Sequence, residues 1–140
     1  MITDKELIQK AFEAQSYSYT PYSHFQVGAA LLSNSGKVYL GCNIENAAYS
    51  PTNCAERTAF FKAVSEGTRG FRKIVIVGNP EGTAQGEGRY CAPCGVCRQV
   101  MAEFCNHDEF EIILAVSDTD YKSYKLKELL PLGFTNEDLE

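Results

Sequence analysis

The chain reads in order as helix, hairpin, helix, strand, helix, strand, which predicts a three-layer α/β/α fold around a mixed five-stranded sheet. Three observations carry this expectation. Residues 25–32 and 37–42 are largely apolar runs parted by Asn34, Ser35 and Gly36, the pattern of an antiparallel hairpin. Residues 73–78 (KIVIVG) and 110–117 (FEIILAVS) are short continuous apolar runs, as expected of interior strands. Helical stretches precede both of these runs, so the later part of the sheet should contain parallel pairing.

Each element has its own local reason. Thr3 and Glu6 form a capping box, and Leu7, Ile8, Ala11, Phe12 and Ala14 recur at helical spacing, giving a first helix from Asp4 to about Tyr17. Residues 19–24 are a loop, and residues 43–51 are an irregular polar stretch suited to a site loop. Asn53 is a good N-cap for a second helix over residues 54–66, ended by Gly67, with Phe60, Phe61 and Val64 as its apolar side. Residues 79–90 hold Pro80, Gly82, Gly86 and Gly88 and should form a flexible loop. Pro93 and Cys94 open a third helix that ends near Asn106. Residues 122–124 should form a short edge strand, and residues 126–130 a last helical turn before Pro131.

A length of 140 residues makes one domain, residues 1–140, the expectation. Apolar residues make up 44%, enough for a core, and no apolar run approaches the ~20 residues of a membrane span. The net charge of −5 argues against a nucleic-acid surface, which needs a basic patch. The N-terminus carries no signal-peptide pattern, which points to the cytoplasm. Three of the six cysteines fall within residues 91–97, which favours metal binding over a disulfide framework.

Two short stretches carry the chemistry: residues 52–57 (TNCAER) and 93–98 (PCGVCR). Cys54, Cys94 and Cys97 can converge as thiolate ligands, and three protein ligands on zinc leave one position open for water. Glu56 stands two residues from one ligand, where a carboxylate can move protons for that water. Arg57 can offset the excess negative charge on the sulfurs. A closed structural site would need a fourth ligand, and Cys91 is the candidate; a redox dithiol would need neither Glu56 nor Cys54. Asn43 and Glu45, two apart, point to one side of an extended backbone and could together hold a sugar hydroxyl. His24 and His107 read as ordinary loop histidines.

These motifs, together with residues 25–30 (FQVGAA), 43–47 (NIENA) and 129–131 (LLP), resemble the zinc-dependent cytidine deaminases of the small homotetrameric nucleoside type. The resemblance covers nearly the whole chain. Many members have histidine as the first ligand, whereas this chain has Cys54. The resemblance implies one Zn²⁺ per subunit on Cys54, Cys94 and Cys97, with Cys91 outside the ligand set. It implies Glu56 as the proton shuttle, Asn43 and Glu45 on the ribose 3′-hydroxyl, and Phe25 against the pyrimidine. The backbone at Ala55 would contact the reacting amino group, and Phe134 would reach a neighbouring subunit's pocket. After Phe134 the chain departs from the family, with Thr135 and Asn136 where Gly-Pro is usual. The implied reaction turns cytidine or 2′-deoxycytidine into the uridine counterpart, as part of pyrimidine salvage. A different cytosine compound, a nucleic-acid editing enzyme and a non-catalytic zinc module are the alternatives.

Overall fold

The computed structural model describes residues 1–139. Its elements are α1 (Asp4–Gln15), β1 (Phe25–Ser33), β2 (Val38–Cys42), α2 (Ala55–Ser65), β3 (Phe71–Pro80), α3 (Gly95–Phe104), β4 (Glu111–Ala115), β5 (Tyr121–Lys125) and α4 (Leu126–Leu129), followed by a short 3₁₀ turn over Asn136–Leu139. The five strands form one sheet in the order β2-β1-β3-β4-β5. Only β3 and β4 run parallel; the other neighbours are antiparallel. This is the expected mixed sheet.

Strand alternation sets the layers. Ala29, Leu31, Ile74, Ile76, Ile112 and Leu114 join a core with α2 and α3, while Ala30, Leu32, Val75, Val77, Ile113 and Ala115 join a second core with Leu7, Ile8 and Ala11 of α1. Both faces of the central strands are therefore covered, which is why residues 73–78 read as a continuous apolar run.

The topology also gathers chain ends at one edge of the sheet. β2 and β3 both finish there, so the helices that follow them, α2 and α3, both start there. β1 runs the other way and begins at the same edge, with Phe25 opposite Pro80 and Gly28 opposite Cys42. Gly41 lets α2 lie directly on β2: a Cβ at this position would stand 2.6 Å from the Ala59 nitrogen and closer still to the Ala55 carbonyl oxygen.

Several local expectations are corrected. α1 stops at Gln15, two residues short of Tyr17, where the chain turns out of the helix. Asn53 does not cap α2; Cys54 holds the N-cap position with φ −75° and ψ 155°, and the Asn53 amide donates to Thr58 Oγ1. Phe61 is 48% exposed, because α2 buries the side carrying Ala55, Ala59, Phe60 and Ala63. Asn79 and Pro80 belong to β3, paired with Gln26 and Phe25 of β1. The rest of the expected flexible loop is fastened down. Gly86 N–H donates to Val116 O, the Tyr90 hydroxyl donates to Asp120, and Lys122 lies 4.6 Å from the Tyr90 ring centre. α3 ends at Phe104, and the edge strand is longer than expected, Tyr121–Lys125.

Candidate active site

Three sulfurs meet where α2 and α3 begin. Cys54 and Cys94 are the N-caps of the two helices, both with extended backbone, and Cys97 lies one turn into α3. The Cys97 N–H donates to Cys94 Sγ at 3.5 Å. Cys54 Sγ and Cys94 Sγ are 3.8 Å apart, and all three sulfurs lie within 4.8 Å of one another. Two sulfurs bound tetrahedrally at ~2.3 Å from one zinc ion would be ~3.8 Å apart, so the donor set fits that ion by spacing as well as by chemistry. Among the described residues no other His, Cys, Asp or Glu joins this cluster. That is the donor set of a site with an open position.

The charges around the sulfurs are shared. Hydrogen bonding from the Cys97 thiol holds Cys54 down to about 5, against the opposing pull of burial, and Arg57 and Cys94 add to the effect. The same bond, followed by burial, pushes Cys97 far above the usual thiol range. Arg57 Nη2 donates to Cys54 Sγ at 3.3 Å. The cluster is thus prepared to carry negative charge, and a dication would release the proton it retains.

Glu56 follows Cys54 by two residues and is only 4% exposed. Its carboxyl is raised to about 7, chiefly by burial; the negative charge on Cys54 acts in the same direction, while its own backbone N–H, Cys97 and Arg57 favour the ionised form. A carboxyl poised near neutrality can both accept and return a proton. Cys91 lies close by but outside the three-sulfur cluster. Its thiol is pushed up to about 11 by burial, with Glu56 and Cys54 adding to it. Cys91 and the Phe25 ring crowd Gly78, where a Cβ would stand 2.6 Å from Cys91 Sγ and 3.3 Å from Phe25 Cε1. Phe25 itself is 37% exposed. Ala55, the first residue of α2, is fully buried.

Asn43 and Glu45 sit beside this centre, and both are engaged with backbone. Asn43 Oδ1 accepts from Val27 N–H at 2.9 Å, and its Nδ2 donates to Phe25 O at 2.8 Å. Glu45 Oε1 accepts from the N–H groups of Tyr22 and Ser23, at 3.0 and 3.1 Å, and Oε2 accepts from the Ser23 hydroxyl. A groove of about 390 Å³ opens there, lined by Tyr22, Ser23, Glu45, Asn46, Tyr49 and Thr52. A larger cavity of about 860 Å³ lies between the end of α3 and the C-terminal tail, and none of Cys54, Cys94, Cys97 or Glu56 lines it.

Phe134 is 57% exposed, and its carbonyl accepts from Gln99 Nε2 of α3 at 2.7 Å. Two residues beyond the sequence expectations help to shape the site. Arg98 joins Pro93 O at 2.8 Å to Leu129 O at 2.9 Å, fastening the residue before Cys94 to α4. Ser23 ties Glu45 to the Phe25 N–H, which donates to its Oγ at 3.0 Å. Arg98 adjoins a ligand motif, so its place in the chain was a signal; Ser23 had none. His24 also has a partner, Glu81 Oε2 at 3.1 Å from its Nδ1.

Three thiols at two helix starts, with a buried carboxyl two residues after one of them, are the parts a zinc-dependent deaminase site requires. Residues 1–111 match the cytidine and deoxycytidylate deaminase zinc-binding region, and the chain belongs to that family. It is 49% identical over 135 residues to a cytidine deaminase of Sporosarcina psychrophila, covering 96% of this chain and 93% of that one. It is also 49% identical over 133 residues to a cytidine deaminase of Halalkalibacterium halodurans, covering 95% of each. Among solved structures, the cytidine deaminase from Burkholderia pseudomallei superposes with a TM-score of 0.84 at 44% identity, covering 95% of this chain and all of that one.

Proposed function

We propose that this protein hydrolyses cytidine and 2′-deoxycytidine to uridine and 2′-deoxyuridine, releasing ammonia. The observation that carries the reading is the buried Glu56 carboxyl beside three converging thiols. Cys54, Cys94 and Cys97 would hold one Zn²⁺ per subunit. Held there, zinc would make a water molecule nucleophilic near neutral pH.

The division of labour is the general one of zinc deaminases. Glu56 takes a proton from the attacking water and delivers it to N3 of the base, which makes C4 electrophilic. Glu56 then takes the remaining proton from the hydroxyl added at C4 and passes it to the 4-amino group; the C4–N bond breaks, C4 becomes a carbonyl carbon, and ammonia leaves. One water is consumed and one ammonia released, so the carboxylate returns to its starting state. Arg57 draws electron density from Cys54. The first N–H group of α2, at Ala55, has no carbonyl partner within the helix and is placed to meet the reacting groups. Phe25 lies against the pyrimidine, and Asn43 and Glu45 meet the ribose 3′-hydroxyl. The negative charge and the sugar-side carboxylate suit an uncharged nucleoside better than a nucleic acid.

The working form we propose is a cytoplasmic homotetramer serving pyrimidine salvage, with Phe134 completing a neighbour's site. No helix among the described residues is long and apolar enough to cross a membrane. The direct test is to incubate the purified protein, with zinc content measured, with each nucleoside and follow uridine or deoxyuridine and ammonia. Equal amounts of the two products support the reading. A fully zinc-loaded protein that leaves both nucleosides intact rules it out.

A further inference from the structure

β2 stops at Cys42, opposite Gly28, so β1 extends past its partner toward Phe25. On the other side Phe25 faces Pro80, which has no N–H. The backbone at Phe25 must therefore find side chains in place of a strand. Its C=O accepts from Asn43 Nδ2 at 2.8 Å, and its N–H donates to Ser23 Oγ at 3.0 Å.

Ser23 does more than accept that bond. Its hydroxyl donates to Glu45 Oε2, while its own N–H and that of Tyr22 donate to Oε1. Both carboxylate oxygens are thus fixed by one dipeptide. Between Ser23 and Phe25 the chain reverses through His24, whose φ of 59° is left-handed. His24 is held there by its N–H on Thr20 O at 3.0 Å and by Glu81 N–H on its carbonyl at 2.7 Å. Hydrogen bonding from Ser23 also keeps the Glu45 carboxyl below the usual carboxylate range.

We infer that Ser23 is a positioning residue of the substrate site: its hydroxyl locks the Glu45 carboxylate to the backbone of Phe25, so that the sugar-side and base-side groups move as one unit. The inference rests on the reading that Glu45 meets the sugar and Phe25 the base. Ser23 acts through the group it aims, the Glu45 carboxylate, and not on the reacting atoms. It therefore bears on substrate binding and leaves the proton transfers of Glu56 alone.

The test compares Ser23→Ala, Ser23→Thr, Glu45→Ala and the Ser23→Ala/Glu45→Ala double variant, each with zinc content and melting temperature measured. Loss of a hydrogen bond to a charged group should raise KM for cytidine about tenfold in Ser23→Ala, with kcat little changed. Ser23→Thr, which keeps the hydroxyl, should restore most of the loss. For 3′-deoxycytidine the effect of Ser23→Ala should largely vanish. In the Glu45→Ala background Ser23→Ala should add little, because the group it aims is gone. An unchanged KM in Ser23→Ala, or two losses that simply add, overturns the inference while leaving the sugar role of Glu45 standing. Glu45→Ala with an unchanged KM for cytidine removes that sugar role, and the inference with it.

Discussion

The thiol centre and the C-terminal tail both adjoin α3, the one at its start and the other along its later turns, yet they are held in opposite ways. Cys54, Cys94 and Cys97 are placed by two helix starts packed on the sheet, with Cys97 buried and Gly41 letting α2 sit directly on β2. Phe134 is placed by one hydrogen bond from Gln99 to its backbone, and its ring stands largely in solvent. Chemistry that requires sub-ångström placement is built on backbone and core. A ring on a tail lacks that packing, and nothing in the core fixes it.

This contrast orders the predictions. Replacing Cys54, Cys94 or Cys97 by Ala should strip zinc and lower uridine formation by more than about 10³-fold, since the metal supplies several kcal/mol of stabilisation. Cys91→Ala should keep both metal and turnover. Metal analysis beside the assay reads the difference, and zinc lost from Cys91→Ala alone would move the ligand set.

The next effect tests the packing beneath the centre. Gly41→Ala places a methyl against the backbone of α2, so urea unfolding should show a loss of about 1–3 kcal/mol. An unchanged midpoint would mean that α2 yields without penalty, and that the centre is less rigidly set than its geometry indicates.

Phe134 tests the other side of the contrast. Phe134→Ala should cost about tenfold in kcat/KM, the scale of one ring stacked on a base. If the ring serves a neighbour, mixing Phe134→Ala subunits with Glu56→Gln subunits should give more activity than the average of the two alone. A mixture with verified subunit exchange that shows only the average would return Phe134 to its own subunit.

The smallest effect lies at the start of β4, away from the thiol centre. Burial alone would raise the Glu111 carboxyl, but hydrogen bonds from Ser123 and Lys73, and the Lys73 charge 3.0 Å away, hold it below the ordinary range. A lowered folded-state value means stability that is present above about pH 4.3 and lost as pH falls through the folded value. Glu111→Gln should therefore flatten the acid side of the stability profile, by no more than about 1 kcal/mol for so partly exposed a pair. Parallel acid profiles for the two proteins would show that the pair contributes nothing.

The sequence made the centre readable because its groups lie within one helical turn of each other in two local motifs: Cys94 and Cys97 span an N-cap and N3, and Glu56 follows Cys54 by two. Such spacing is fixed by helix geometry. The sheet was readable for a similar reason, since residues 73–78 and 110–117 are apolar throughout. What could not be read was which residue caps, and what each polar side chain meets across the fold. Asn53 looked like the cap of α2, but Cys54 takes that position because its backbone is the last extended residue before the helix. The contacts of Glu45 with Ser23, and of Gln99 with Phe134, join residues 22 and 35 apart, and no periodicity encodes them. Residues 81–90 looked loose by composition, yet Tyr90 is fixed by Asp120 and Lys122 from the far end of the sheet.

The measurement closest to the central claim is the turnover of Glu56→Gln in zinc-loaded protein. The amide keeps the shape of the side chain but cannot move the proton. Zinc content and melting temperature should match the parent, while uridine formation from cytidine falls by ~10²–10⁴-fold, the usual share of a general acid–base. Near-parental turnover with zinc in place would contradict the account, because the buried carboxyl beside the thiols would then not be the group that moves the proton.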